Sequence, residues 1–456
     1  MNSAQAGRLA FAPGPSSWPL VGNVLDVRAA GDIAAYLDEL WRKHGDTFRF
    51  KLFGQSMLAV VHPESLKQVL SSRRERYVKG RAYDNVRRLL GEGLVTLEGD
   101  AWKARRTLAQ PAFHRQSLAK LTTIMVRSGA RFLDDLAARC AGGPLAIDAH
   151  REMVKLTLDV VIAALLGDDL LRGADVSFEV LGSALELVSE RTNGAVLPAW
   201  VPTPDNLRFR RTLRELDALV FAVIGRARRR GQDDGSLLSM ILSAVDGDTG
   251  APLSDRAVRD EVLTLFLAGH ETTALTLTWM FTFLDGRPEV TRRMRDEVDR
   301  VLGDRDPGFE DVPRLPYIRQ VVEETLRLRP AAALIARNVV AEDEIGGYRV
   351  APGDFVLPFI WGAHRHAAFW PDPEAFDPDR FGPAQSEGRH SWSLIPFSGG
   401  PRSCIGNTFA LVEASVLIAQ LLRRFDVEVQ PCADVRPRVV ATMRPSKPVH
   451  VVLKRR

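Results

Sequence analysis

The stretch Phe397-Ser398-Gly399-Gly400-Pro401-Arg402-Ser403-Cys404-Ile405-Gly406 decides how this chain is read. It sets one cysteine in a glycine-rich loop, with an arginine two residues before it. A largely apolar run, Asn407 to Leu422, follows at once and reads as a helix. A cysteine just ahead of a helix N-terminus meets unpaired N–H groups and the positive end of the helix dipole. Both favour thiolate over thiol. The glycines let backbone approach something flat and bulky, and Phe397 can cover the sulfur. Arg402 is placed to reach an anionic group on the edge of that object. Together these suit haem, with iron bound by Cys404 and a propionate held by Arg402. A structural cysteine beside an ordinary turn would explain the bare cysteine, but not the whole pattern.

The chain has 456 residues, 45% hydrophobic and 26% charged, which is enough to bury a large core. No linker, low-complexity tract or repeat divides it. The reading is therefore a flexible lead-in, residues 1–15, and a single catalytic domain, residues 16–456. The three cysteines, Cys140, Cys404 and Cys432, make no disulfide framework and suit a reducing compartment. Neither a secretory pattern nor an apolar run of membrane-spanning length is visible, so a cytoplasmic protein without a membrane anchor is expected. The net charge of +4 is too mild to argue for nucleic acid. Basic residues cluster at Arg73, Arg74 and Arg76, at Arg105 and Arg106, and at Arg228 to Arg230. The last of these reads as a solvated helix face.

Outward from the cysteine loop, periodicity predicts a mainly α protein with small β-sheets near both ends. The lead-in around Pro13-Gly14-Pro15 is extended. Phe48 to Val61 alternates about a Gly54 turn, like a hairpin. From Pro63 to Leu284 the pattern is mostly helical. Short strand-like runs follow Pro330, then a proline-rich meander from Phe369 to Phe381, and the tail from Phe425 to Leu453 again reads as short strands.

Three further patterns carry chemistry. Leu263 to Phe283 is a long, apolar helix interrupted by Ala268-Gly269-His270-Glu271-Thr272-Thr273. Glycine and paired threonines are poor helix formers, and a buried acid needs partners, so a local opening of the helix is expected here. A zinc-protease reading of His270-Glu271 fails, because Ala274 stands where a second histidine is needed. Glu324 and Arg327 lie one turn apart on one helix face, as an ordinary surface pair also would. Trp102 and Arg106 share a face at i, i+4, where an indole N–H and a guanidinium suit a carboxylate.

With these residues together, the chain resembles the cytochromes P450. Phe397, Gly400, Arg402, Cys404 and Gly406 match that family's haem loop, and the other motifs follow in the expected order from about Pro13 onward. The resemblance implies the family fold, with haem b held by the Cys404 thiolate. It implies propionate contacts from Trp102, Arg106, Arg402 and Arg337. It makes Thr272 and Glu271 the acid–alcohol pair that delivers protons during oxygen activation, with Ala268 and Gly269 leaving room for dioxygen. Glu324, Arg327 and the meander's Arg380 become a structural ion network, with Asp379 where the family commonly has glutamate. His364-Arg365 matches a recurring pair, although the histidine could equally be a satisfied loop residue.

Substrate-facing segments by the same resemblance are Tyr83 to Leu94, Leu185 to Val201, the Thr264, Leu267 and Ala268 face, Ala331 to Leu334, and the turn around Met443. Ala331, Ala332 and Ala333 leave volume for a bulky molecule, or simply serve a tight loop. The expected activity is monooxygenation by O2 of a bulky apolar terpenoid, steroid or macrocycle. Electrons would come from a separate ferredoxin or flavodoxin with its reductase. A monomer is expected, with Lys103, Arg105 and Arg115 as a docking face. Alternatives are a fatty-acid hydroxylase using Arg191 or Arg444, a peroxide-driven hydroxylase or isomerase, and a haem-based sensor or electron carrier. The last two leave the acid–alcohol pair without a task.

Overall fold

The apolar runs and prolines of the sequence sort into long helices and short strands in a computed structural model, which describes residues 10–167, 201–230, 235–245 and 250–456. The chain gathers into two compact units. The first takes the N-terminal residues to Asp84, Leu326–Cys404 and Pro437–Arg444.

The first unit is built on a five-stranded sheet. Thr47–Leu52 and Gln55–Val60 form the expected antiparallel hairpin, turned by Phe53 and Gly54, both at positive φ. Phe355–Pro358 pairs parallel to the second strand; Arg337–Val339 and then Tyr77–Val78 complete the order. Helix α1 (Ile33–His44) starts at Asp32, whose carboxylate accepts the Ala35 N–H at 2.8 Å, a regular N-cap. It buries Ala34, Tyr36, Leu37 and Leu40, with Tyr36 edge-on to Phe50. The lead-in is tied down from Ala10 onward. Arg49 N–H donates to Pro13 O at 2.8 Å, and Arg349 N–H to Ala10 O at 3.1 Å.

The second unit takes Asn85–Thr325, Ile405–Arg436 and Pro445–Arg456. It contains α2 (Gly99–Ala109), α3 (Arg115–Arg139), α4 (Ala149–Leu166), α5 (Pro204–Arg230) and α6 (Asp255–Leu284). Helix α7 (Pro316–Leu328) begins in this unit, and α8 (Asn407–Arg424) follows the cysteine loop. An antiparallel sheet of Leu145–Asp148, His450–Arg455 and Phe425–Val429 closes it. Helix α6 is buried over most of its circumference, as its continuous apolar character requires. It packs against α4, where a Cβ on Gly269 would stand 2.9 Å from Val161 Cγ2, and Thr157 Oγ1 donates to His270 O at 2.8 Å.

One expectation is corrected here. Helix α6 runs without interruption through Ala268–Thr273. The threonine hydroxyls fold back instead, Thr272 onto Ala268 O at 2.8 Å and Thr276 onto Thr272 O at 3.0 Å, so they are satisfied within the helix.

Candidate active site

The cysteine loop belongs to the first unit. Ser398 and Gly400 both have positive φ, and the loop closes with Cys404 N–H donating to Phe397 O at 2.9 Å and Ser403 N–H to Gly400 O at 3.0 Å. Gly400 has no substitute here: its φ is +70°, and a Cβ would overlap the Leu70 carbonyl. Cys404 is exposed, whereas Cys140 and Cys432 are buried. Burial, with Asp285 beside it, pushes the Cys432 thiol up to about 12. Phe397 and Arg402 are half-buried, and Gly406 stands at the head of α8 with its carbonyl accepting from Ala410 N–H.

The loop rests on a buried polar frame. Arg327, fully buried at the end of α7, donates to His364 O at 3.0 Å, Pro373 O at 2.7 Å and Ala375 O at 2.9 Å. Arg380 donates to Pro371 O and to Asp372 O, so both arginines brace the same stretch of the meander. Glu324, one turn before Arg327, is likewise fully buried. His364 contributes what the sequence left open. Its Nδ1 donates to Arg327 O at 3.1 Å and its Nε2 accepts the Ile395 N–H at 2.8 Å. Burial lowers its pKa to about 3, so it stays neutral and fixes Ile395, two residues before Phe397, to α7.

Elsewhere in this unit Arg337 is 5% exposed, donating to Ala336 O and, at 3.5 Å, to Tyr83 Oη. The alanine segment divides. Ala332 is exposed, Ala331 and Leu334 are half-buried, and Ala333 is 1% exposed with its carbonyl accepting from Trp361 N–H. Met443 is also fully buried, its N–H bonded to Ala331 O at 2.9 Å. Ala333 and Met443 are thus the most buried of the expected substrate-facing residues in this unit.

In the second unit α6 carries an opening in its burial at Leu265, Leu267–Gly269 and Glu271–Thr272. Ala268 is the most open, and Thr272 lies one turn further along the same face. His270 points the other way, buried and stacked on Phe266, and belongs to the core. Thr264 departs from expectation. It is 2% exposed, with Gly93 packed directly onto its hydroxyl. Trp102 is buried and Arg106 half-buried on α2. Arg105 is corrected as a docking residue: it pairs internally with Glu261 at 2.9 Å. Lys103 and Arg115 are exposed, paired with Asp100 and Glu310. Arg191 and most of Leu185 to Val201 lie outside the described residues.

Glu413, on α8, was missed. It is 0% exposed, and neither carboxylate oxygen accepts a hydrogen bond of ordinary geometry. Its polar neighbour is the Thr273 hydroxyl of α6, which is turned to Gly269 O at 3.4 Å. Burial raises this carboxyl to about 8, the Thr273 contact opposing only weakly. The signal was a single acid inside the apolar run of α8.

The sequence model of the family described as Cytochrome P450 matches residues 12–453. The chain belongs to the cytochromes P450. Cyclooctatin synthase of Streptomyces melanosporofaciens is 34% identical, with 93% of this chain and 91% of that protein aligned. Pentalenene oxygenase of Streptomyces avermitilis is 33% identical, with 88% of each aligned. Among solved structures, the cytochrome P450DA heme domain superposes with a TM-score of 0.88 at 26% identity, covering 98% of both chains. The fold is the P450 fold, and the protein is a P450 monooxygenase, using haem with a cysteine thiolate ligand, O2, a redox partner and a hydrophobic substrate. No helix among the described residues is long and apolar enough to cross a membrane. The donor set of the first unit fits the cofactor: an exposed cysteine in a closed glycine loop, with a buried polar frame behind it.

Proposed function

We propose that this P450 inserts one oxygen atom of O2 into a bulky terpenoid, with Cys404 as the ligand of haem b. The observation that carries the metal assignment is that Cys404 is exposed while the two other cysteines are buried. Haem supplies the oxygen-activating redox chemistry when bound. Arg402, Arg337, Trp102 and Arg106 hold the propionates as guanidinium and indole donors. Thr272 and Glu271 hold and pass protons beside the Ala268 opening, and the Thr272 hydroxyl reaches that position by rotating off Ala268 O. The terpenoid class is supported by relatives named for cyclooctatin, cyclooctat-9-en-7-ol and pentalenene, and by the small, apolar Leu267–Ala268 face. Burial at about 25 cal/mol per Å² supplies most of the affinity for such a molecule. Electrons come from a ferredoxin or flavodoxin with its reductase, and the protein acts as a monomer.

The test has two arms. Reduced wild-type protein under carbon monoxide is expected to give the red-shifted Soret band of thiolate-bound haem, and Cys404→Ser to lose it. Retention of that band in Cys404→Ser would refute the ligand assignment. Turnover with a surrogate ferredoxin system is expected on cyclic terpenoids and not on fatty acids. The opposite preference would overturn the substrate class.

A further inference from the structure

Arg259, Asp260 and Glu261 form an unbroken charged triplet inside α6, and none is more than 3% exposed. Consecutive helical residues point about 100° apart, so three neighbours do not share a face. All three nevertheless reach one short stretch of chain. Arg259 Nη1 donates to Leu89 O at 3.0 Å, Asp260 Oδ2 accepts Glu92 N–H at 2.8 Å, and Glu261 accepts from the Leu94 backbone. Further charged partners hold the triplet in place: Arg105 donates to Glu261 at 2.9 Å, and Arg259 also bonds Asp217 at 2.7 Å. The segment is thus pegged at three points between Leu89 and Leu94.

The pegged segment covers a definite part of α6. A Cβ on Gly93 would overlap Thr264 Oγ1 and stand 2.7 Å from Asp260 O, and Gly91, at φ +68°, is pressed against the Asp260 carboxylate. Thr264 lies two turns before Thr272 on the same face, and its hydroxyl has no hydrogen-bond partner among the described residues. Burying three charges is costly, and apolar side chains would give plain adhesion more cheaply. What directed ionic hydrogen bonds add is a fixed height and register for the backbone they hold.

We infer that Asp260 and Glu261, oriented by Arg259 and Arg105, are specificity-determining positioning residues: they hold the Leu89–Leu97 segment down on the Thr264 face and so limit how far a substrate extends along α6 from Thr272. This rests on the monooxygenase reading for Thr272. Asp260→Ala removes both the acceptor and the charge; Asp260→Asn keeps an acceptor for Glu92 N–H. Gly93→Ala forces the segment up from the other side with every charge intact.

Hydrogen–deuterium exchange across residues 89–97 is expected to quicken about tenfold or more in Asp260→Ala and in Gly93→Ala, and to change little in Asp260→Asn. Soret titrations with imidazole, 4-phenylimidazole and clotrimazole then read pocket length. The affinity for clotrimazole relative to imidazole is expected to rise in the two loosened variants and to stay at the wild-type ratio in Asp260→Asn. Unchanged exchange would overturn the pegging, and faster exchange with an unchanged ratio would overturn the specificity role. Absence of any Soret shift in the wild type would instead refute the haem reading, leaving exchange to judge the pegging.

Discussion

Replacing Glu413 by glutamine should flatten part of the protein's stability–pH curve. In the unfolded chain this carboxyl titrates near 4.5; buried on α8 it holds its proton to about 8. Between those values the native state binds the extra proton, so stability falls as pH rises, and the full contribution is present only below 4.5. At pH 7 the loss, at about 1.4 kcal/mol for each pH unit above the unfolded value, is on the order of a few kcal/mol. It reaches about 5 kcal/mol at pH 8 and then levels off. The amide of the Glu413→Gln variant does not titrate, although it is no better partnered, so the readout is the slope and not the absolute stability. Urea unfolding of haem-loaded protein, followed by tryptophan fluorescence from about pH 5 to 9, gives both curves. Their difference cancels all other titrating groups. The variant should gain on the wild type by several kcal/mol across the range. Parallel curves would show that Glu413 is ionised and solvated in the native state, and the burial argument would fail.

Thr272→Ala should still load haem and bind substrate while diverting NAD(P)H into peroxide or water; undiminished coupling of NAD(P)H to product would remove its proton role. Arg327→Ala strands the carbonyls of His364, Pro373 and Ala375 and empties a buried cationic position. A loss of about 3–5 kcal/mol and poor haem retention are expected, and wild-type melting with full haem occupancy would contradict this. Gly400→Ala must overlap Leu70 O at a left-handed φ, so haem occupancy should fall sharply while helix content by circular dichroism holds; full occupancy would mean the loop is not so constrained.

The parts of the proposed site that could be read from sequence are local. The Phe397–Gly406 loop, the Trp102–Arg106 spacing and the proposed Glu271–Thr272 pair each lie within one loop or one or two helical turns, where spacing alone sets which residues are neighbours. Helices and the first hairpin followed from periodicity and turn residues for the same reason. The departures all involve partners distant in sequence. Thr264, Leu267 and Ala268 do share a helix face, but only the packing of Gly93 decides that Thr264 is covered. Arg105 looked like an exposed cation until Glu261, 156 residues later, claimed it. Local propensity argued for a break at Ala268–Thr273, and tertiary burial on α4 outweighed it. His364 and Glu413 show the limit most plainly. The sequence supplies an imidazole and a carboxyl with ordinary affinities for protons. Burial and the partners that folding brings, or withholds, make one a neutral brace with a pKa near 3 and the other an acid that keeps its proton to about 8.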